Sequence, residues 1–336
     1  MNNTIELEKI AFGVGRISPE NAEEAAINAI EVGFRMFDSS NSYGNQPEFG
    51  KGIQNCIANG KVKREELILT QKIASYQLGY NNTFKVFNES LENFGTDYID
   101  ILLAYLPSSY DPNWKRYVID TWRAMEKLYK EGKAKIIGVS NFNVDQLGHL
   151  LHYAEIKPMI NQIELHPSFQ QRALVKFCQE NNIKIEAWSP LMYDINSNLL
   201  KELGLKYNKS SAQIALKWSI QKGYIPVVST KIKHEMVEDL DINDFQLTNE
   251  EIEYFNTLDG GMHSIDNQMI PPLDGNAVVQ KLKFESFYRP QTYKRTYKLF
   301  GIIPFLTKTL YHWNKTVWRL FGIPILKIKT IEYTKK

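Results

Sequence analysis

Three residues whose types together can move a proton stand early in the chain: Asp38 and Tyr43 in FDSSNSYGNQ, and Lys72 in LILTQKI. Asp38 falls where a predicted strand ends, Tyr43 in the loop just beyond, and Lys72 at the end of the next strand. An aspartate beside a lysine holds the ammonium in place. The ammonium then stabilises a nearby phenolate and lowers the tyrosine pKa. Such a phenol is a better proton donor near neutral pH, as reduction of a carbonyl requires. From spacing alone, a plain ion pair between Asp38 and Lys72 explains the same residues and is the simpler reading. The run DYIDILLAYLP (97–107) adds a second phenol, Tyr105, where another buried strand runs out.

These residues need a scaffold that gathers strand ends. Short β-rich runs occur at 11–15, 34–40, 67–73, 98–106, 134–140, 159–165, 183–189 and 224–230. Most are continuous apolar runs, the pattern of parallel strands buried on both faces. Helical patterns lie between them. PENAEEAAINAIEVG has Ser18 as a candidate N-cap, Pro19 in the first helical position and Gly33 at its end. DTWRAMEKLYKEGK is followed by Lys133 and Lys135 at its exit, where cations suit the helix dipole. Eight strands alternating with helices predict an α/β fold, a (β/α)8 TIM barrel, with a doubly wound open sheet as the competing architecture. In a barrel the active site lies at the C-terminal ends of the strands. The polar residues expected there are Asp38, Lys72, Tyr105, Ser140 with Asn141, Gln162 with Glu164 and His166, Ser189, and Ser229 with Thr230. Some could be caps or loop anchors, but so many at successive strand ends favour a site.

The 336 residues suit one barrel plus an appendage, and 43% apolar content suits a globular protein. Two cysteines, Cys56 and Cys178, lie far apart. They argue against a disulfide framework or cysteine-built metal site and for a reducing compartment. The opening MNNTIELEKI does not read as a signal peptide, and no apolar stretch is long enough to span a bilayer. A cytoplasmic location is expected. His149 and His152 lie three apart on a predicted helix with no carboxylate spaced as a metal ligand, so no metal is assigned.

The chain resembles the aldo-keto reductases from about residue 5 to 260. The segments that carry the likeness, in order, are GFRMFDSSNSYGNQPEFGKGI, ELILTQKI, TDYIDILLAYLP, AKIIGVSNF, INQIELHP, EAWSPL and SSAQIALKWSIQKGYIPVVST. The resemblance implies a (β/α)8 barrel that binds NADP(H) or NAD(H) without a Rossmann domain and reduces an aldehyde or ketone. It makes Tyr43 the general acid, Lys72 the group that lowers its pKa, and Asp38 the group that orients Lys72. Ser140 and Asn141 match the pair that holds the nicotinamide carboxamide, with Gln162 helping. Trp188 stands where the family usually stacks a tyrosine on the nicotinamide, and an indole offers a larger flat face. Ser189 and Leu191 match pyrophosphate contacts. The usual family pattern at the 98–106 strand end is Ile-His-Trp-Pro, so Tyr105 takes the place of the histidine that directs the substrate carbonyl. A phenol can still donate that hydrogen bond, but it does not titrate near neutrality as imidazole does.

After the last strand, Ser229 and Thr230 align with the family's Lys-Ser pair that reads a 2′-phosphate, and Glu235 aligns with its Arg. A carboxylate there repels a phosphate and accepts from a free ribose hydroxyl, which tilts the reading toward NAD(H) or dual use. Lys231 or Lys233 compensates if the loop shifts. A solvated Glu235 in a helix's first turn is the plainer alternative. His166 recurs in the family pattern as a structural residue.

The likeness fades after Gly260. Residues 266–336 hold 13 Lys+Arg against 4 Asp+Glu, a net of +9, while 1–265 carry a net of −7. The expected organisation is a barrel over 1–262, a linker over 263–283 and a basic, partly helical extension over 284–336. Leu306, Leu310, Trp313, Val317 and Leu320 recur at helical spacing after Pro304, with Gly322 and Pro324 ending the run. Lys308, His312, Lys315 and Arg319 lie elsewhere around that helix. It either packs on protein or lies on anionic membrane through residues 299–329, at about 1 kcal/mol per basic residue. Nucleic-acid binding ranks well below, for want of a motif. The ending also resembles basic termini of bacterial surface-polysaccharide enzymes. That suggests a sugar or nucleotide-sugar substrate near the inner membrane face. The rival from another class is a catalytically weak cofactor-binding barrel serving as a membrane-associated regulatory or scaffold subunit.

Overall fold

The computed structural model describes residues 6–106, 113–192 and 195–259, and the backbone of four strands between 293 and 328. Eight strands form a closed parallel barrel in sequence order: β1 (Ala11–Gly13), β2 (Met36–Asp38), β3 (Ile68–Ile73), β4 (Ile99–Tyr105), β5 (Ala134–Ser140), β6 (Ile160–Glu164), β7 (Lys184–Trp188) and β8 (Ile225–Val228), with β8 pairing back onto β1. All eight lie within the runs read from the sequence, and the open-sheet alternative falls. Helices α1 (Pro19–Val32), α2 (Gln46–Ala58), α3 (Tyr80–Phe94), α4 (Trp114–Lys130), α5 (Val144–Tyr153), α6 (Arg172–Glu180), α7 (Asn198–Tyr207), α8 (Ser211–Gln221), α9 (Lys233–Leu240) and α10 (Asn249–Asn256) alternate with or follow them.

Side chains alternate across each strand, so residues two apart share a face. One buried cluster, including Met36, Ile68, Ile101, Leu103, Ile160 and Val227, fills the barrel interior. Following these columns toward the C-terminal ends leads from Met36 to Asp38, from Ile68 through Thr70 to Lys72, from Leu103 to Tyr105 and from Ile160 to Gln162. The apolar columns thus place the polar residues at the mouth. Gly138 on β5 lets the strands close: a Cβ there would meet the Ile160 carbonyl oxygen at 2.5 Å.

Ser18, Pro19 and Gly33 bound α1 as expected, with Ser18 Oγ accepting from Asn21 Nδ2 at 2.7 Å and not from the backbone. One local expectation needs correction. Lys135 does not serve the end of α4. It is a β5 residue paired with Asp100 at 2.8 Å, and Lys127 and Lys130 occupy the last turn of the helix.

The chain divides into two compact units, Met1–Ser264 and Ile265–Lys336. In the second, β9 (Tyr293–Leu299), β10 (Ile303–Tyr311), β11 (Lys315–Leu320) and β12 (Ile323–Ile328) form an antiparallel sheet ordered β12-β11-β10-β9. The helix expected across Leu306–Leu320 is therefore replaced by two paired strands, with Leu306 opposite Leu320. A spacing of four, as from Leu306 to Leu310, fits a strand as well as a helix, and these runs are rich in Ile, Thr, Val, Tyr and Trp. The register shifts between Pro304 and Leu306, a place where a residue without an N–H is tolerated. The linker at 263–283 lies outside the described residues. No helix among the described residues is long and apolar enough to cross a membrane.

Candidate active site

Strand ends β2 and β3 bring Asp38 and Lys72 together: Lys72 Nζ donates to Asp38 Oδ2 at 2.8 Å, with both residues buried. Ser40 Oγ donates to the Lys72 carbonyl oxygen at 3.1 Å and fixes that strand end. A short 3-10 turn, Asn41–Tyr43, then carries the phenol over the pair, ending at Gly44 in the left-handed region. Lys72 Nζ lies 5.3 Å from the centroid of the Tyr43 ring. The buried Asn45 amide donates to Val14 O at 2.8 Å and Ile17 O at 2.7 Å, tying the loop after β1 to the loop that holds Tyr43.

Gln162 on β6 joins this group from across the barrel. Its amide oxygen accepts from Lys72 Nζ at 2.6 Å, and its Nε2 donates to Asp38 Oδ1 at 2.8 Å and to Glu186 Oε2 at 2.7 Å. Gln162 was expected to help hold a cofactor carboxamide; in this structure both of its amide hydrogens are bonded to the Asp38 and Glu186 side chains. Glu186 on β7 was not singled out from the sequence. A charged residue in the buried strand IKIEAWS, two before Trp188, was the available signal.

The expected lowering of the Tyr43 pKa is not what this arrangement produces. Burial, and after it the negative charge of Asp38, hold the phenol well above its ordinary value. Lys72 is committed to Asp38 and Gln162. Tyr43 therefore holds its proton firmly, a state that is still compatible with a general acid.

Tyr105 ends β4 half-buried, in register with Ser140 on β5. Ser140 Oγ donates to the Gln162 carbonyl oxygen at 3.1 Å, leaving its lone pairs as acceptors. Asn141 and Ser189, just past β5 and β7, both have left-handed backbones. Trp188 Nε1 donates to Asn141 Oδ1 at 2.7 Å, so the indole is held and the Asn141 Nδ2 donor is oriented. Arg16, after β1, donates from Nη2 to Ser189 Oγ at 3.2 Å and rests on Met192 Sδ at 3.8 Å. This exposed guanidinium, also missed in the sequence, puts positive charge beside Ser189, and Leu191 is half-buried in the same turn. A held aromatic face, an oriented amide, acceptor hydroxyls and an arginine form a donor set that fits a nicotinamide dinucleotide.

Past β8, Ser229 is exposed, and the Thr230 hydroxyl is bonded to the Glu235 carboxylate in a very short contact. Thr230 Oγ1 also accepts from Ile232 N at 3.0 Å. Lys233 is turned to Glu31 at 2.5 Å. Lys231 is exposed and has no acidic partner among the described residues. His166 is buried and lies 3.5 Å from Glu164, a structural placement. Among the described residues no three His, Cys, Asp or Glu side chains group as metal ligands.

A model described as the Aldo/keto reductase family matches residues 9–259. The chain is 40% identical over 252 residues to the glyoxal reductase of Bacillus subtilis (strain 168), covering 74% of this chain and 88% of that protein. It is 31% identical to the NAD(P)H-dependent D-xylose reductase of Candida tenuis, covering 77% and 92%. A crystal structure of a Bombyx mori aldo-keto reductase in complex with NADP superposes with a TM-score of 0.72 at 33% identity, covering 77% of this chain and 92% of that one.

Proposed function

The chain belongs to the aldo/keto reductase family of NAD(P)H-dependent oxidoreductases, and from that premise we propose that it reduces an aldehyde or ketone with Tyr43 as the proton donor. One observation carries this reading: the half-buried phenol of Tyr43 stands over the buried Asp38–Lys72 pair at the C-terminal mouth of the barrel. A bound dihydronicotinamide supplies hydride. The chain's own work is to hold the reactants and deliver the proton. Trp188 offers a flat face, Asn141 Nδ2 a donor and Ser140 Oγ an acceptor for a carboxamide. Ser189 and Arg16 offer donors to the pyrophosphate. Tyr105 donates to the carbonyl oxygen in place of the family histidine, and Tyr43 O–H transfers its proton to that oxygen as the alcohol forms. Lys72 then faces the resulting phenolate.

The ribose end favours NADH or dual use. Thr230 and Glu235 are bonded to each other, and Lys233 is drawn away by Glu31, which leaves Lys231 to meet a 2′-phosphate. For the substrate, the names of the relatives point to small dicarbonyls and aldoses. The basic unit 266–336 supports the finer reading, a sugar or nucleotide-sugar carbonyl handled near anionic membrane.

Steady-state NAD(P)H oxidation with glyoxal, aldoses and nucleotide-sugar carbonyls tests the proposal. Tyr43→Phe should lower kcat/KM by about 100-fold or more, the range of general acid catalysis. Tyr105→Phe should cost less, about tenfold, since it removes one hydrogen bond to substrate. KM should be no higher for NADH than for NADPH. Full activity in Tyr43→Phe would rule out the donor, and a barrel that turns over none of the panel favours the scaffold reading.

A further inference from the structure

Glu186 reaches the active site through one amide. Gln162 Nε2 bonds both Asp38 and Glu186 while Gln162 Oε1 accepts from Lys72, so two carboxylates and one ammonium share a single neutral side chain. We propose that Glu186 is a positioning residue: through Gln162 it sets how much of the Lys72 charge the Tyr43 phenol experiences, and so makes proton donation depend on pH. The proposal rests on the reading of Tyr43 as the acid and names a regulation of that site.

The geometry supports it first. Glu186 is fully buried in the barrel interior, and its Oε1 has no hydrogen-bond partner among the described residues. A carboxylate with one bare oxygen in such a place is costly, so the neutral acid is favoured. In agreement, burial foremost, opposed by the Gln162 hydrogen bond and reinforced by the Asp38 charge, pushes the Glu186 carboxyl up to about 7. The groups around it are few. Strand β2 presents Asp38, β3 presents Lys72 and β4 presents Tyr105. Tyr43 lies above, and β6 carries Glu164, which faces His166. The inward columns of β1, β5 and β8 carry Ala11, Ile136, Ile225 and Val227 and no charge. On β7 itself, Lys184 is exposed at the far end.

The consequence follows from charge. As pH falls through its titration Glu186 becomes neutral, and the Lys72 ammonium faces one carboxylate. Above that titration, a second carboxylate competes for that ammonium. Proton transfer from Tyr43 leaves a phenolate, which the added negative charge disfavours. Reduction should therefore slow as pH rises through the Glu186 titration, before the phenol itself ionises.

The test uses the full chain with Glu186→Gln and Glu186→Asp, folding being checked by circular dichroism. Wild-type kcat should show an inflection near pH 7. Glu186→Gln should lose it, matching wild type at pH 6 and exceeding it by roughly threefold or more at pH 8.5, as a Brønsted response to a more acidic donor implies. Glu186→Asp, with a shorter reach to Gln162, should move the inflection without abolishing it. A second reading needs no cofactor. Tyrosinate absorbance, with Tyr43→Phe as the reference, should show the Tyr43 phenol ionising at lower pH in Glu186→Gln than in wild type. Asp239 on α9, also pushed up to about 7 by burial, is unchanged in the variant and so cancels in the comparison. An unshifted tyrosinate titration, a wild-type profile without the inflection, or a uniform scaling of kcat at every pH would overturn the proposal. Activity in Tyr43→Phe would instead overturn the assignment of the acid, while the absorbance titration would still report on Glu186.

Discussion

Gly15 lies against the phenol proposed as the proton donor: a Cβ built there would stand 3.1 Å from both Cε2 and Cζ of Tyr43. Contacts that tight force the ring to yield by a few tenths of an ångström, and Cζ carries the hydroxyl. Gly15 is exposed and its backbone is not left-handed, so the added methyl strains little else. Gly15→Ala should therefore lower kcat by about three- to tenfold, since misplacement of reacting groups by about 1 Å costs about 100-fold. Its melting temperature should stay within a few degrees of wild type. An unchanged kcat would mean that the ring has room to move. Residue type and strand-end position were enough to suggest an Asp38–Lys72 ion pair, which is present, but the roles expected of Asp38, Tyr43 and Lys72 came from the family resemblance. The sequence did not disclose the direction of the Tyr43 pKa, which depends on how the phenol is buried. Gln162 was visible, but its bonds to Asp38 and Glu186 cross the barrel and have no local signature.

Strands β3, β4 and β5 are joined at the end away from the chemistry by one carboxylate. Asp100, the second residue of β4, accepts from Arg64 Nη2 at 2.8 Å, Leu69 N at 3.0 Å and Lys135 Nζ at 2.8 Å, and is 1% exposed. Asp100→Ala would leave a buried N–H unpaired and two cations facing each other. The expected loss of stability is about 2–4 kcal/mol, slightly below the roughly 3–5 kcal/mol for breaking a fully buried pair because Arg64 and Lys135 are partly exposed. Because Tyr105 is at the opposite end of the same strand, kcat should not change. Denaturant melts and initial rates on one preparation check both halves, and loss of kcat without loss of stability would contradict the division. This division of labour between barrel ends was legible in outline, because parallel strands buried on both faces read as apolar runs. The extension was misread for the complementary reason: β10 and β11 are defined by pairing between residues distant in sequence, and a spacing of four fits both periods.

At the scale of the whole molecule, charge and chemistry are separated along the chain. Every residue placed in the active site lies in the first unit, Met1–Ser264, and the basic excess lies in the second. The strands of the second unit and the residues between them, 293–328, carry seven Lys and Arg and no Asp or Glu. An acid-free basic sheet is attracted to anionic surfaces at about 1 kcal/mol per basic residue close to the lipid, and the attraction fades with salt. A chain ending at Ser264 should therefore keep kcat for a small aldehyde within about threefold, as a unit with its own core is expected to. It should also lose the flotation with phosphatidylserine vesicles that the full chain is expected to show at low ionic strength. Equal flotation of the two chains would remove the membrane from the account and leave the barrel chemistry standing. A collapse of kcat on truncation would instead assign the basic unit to the substrate pocket, because the residues proposed to hold and protonate a carbonyl are all retained.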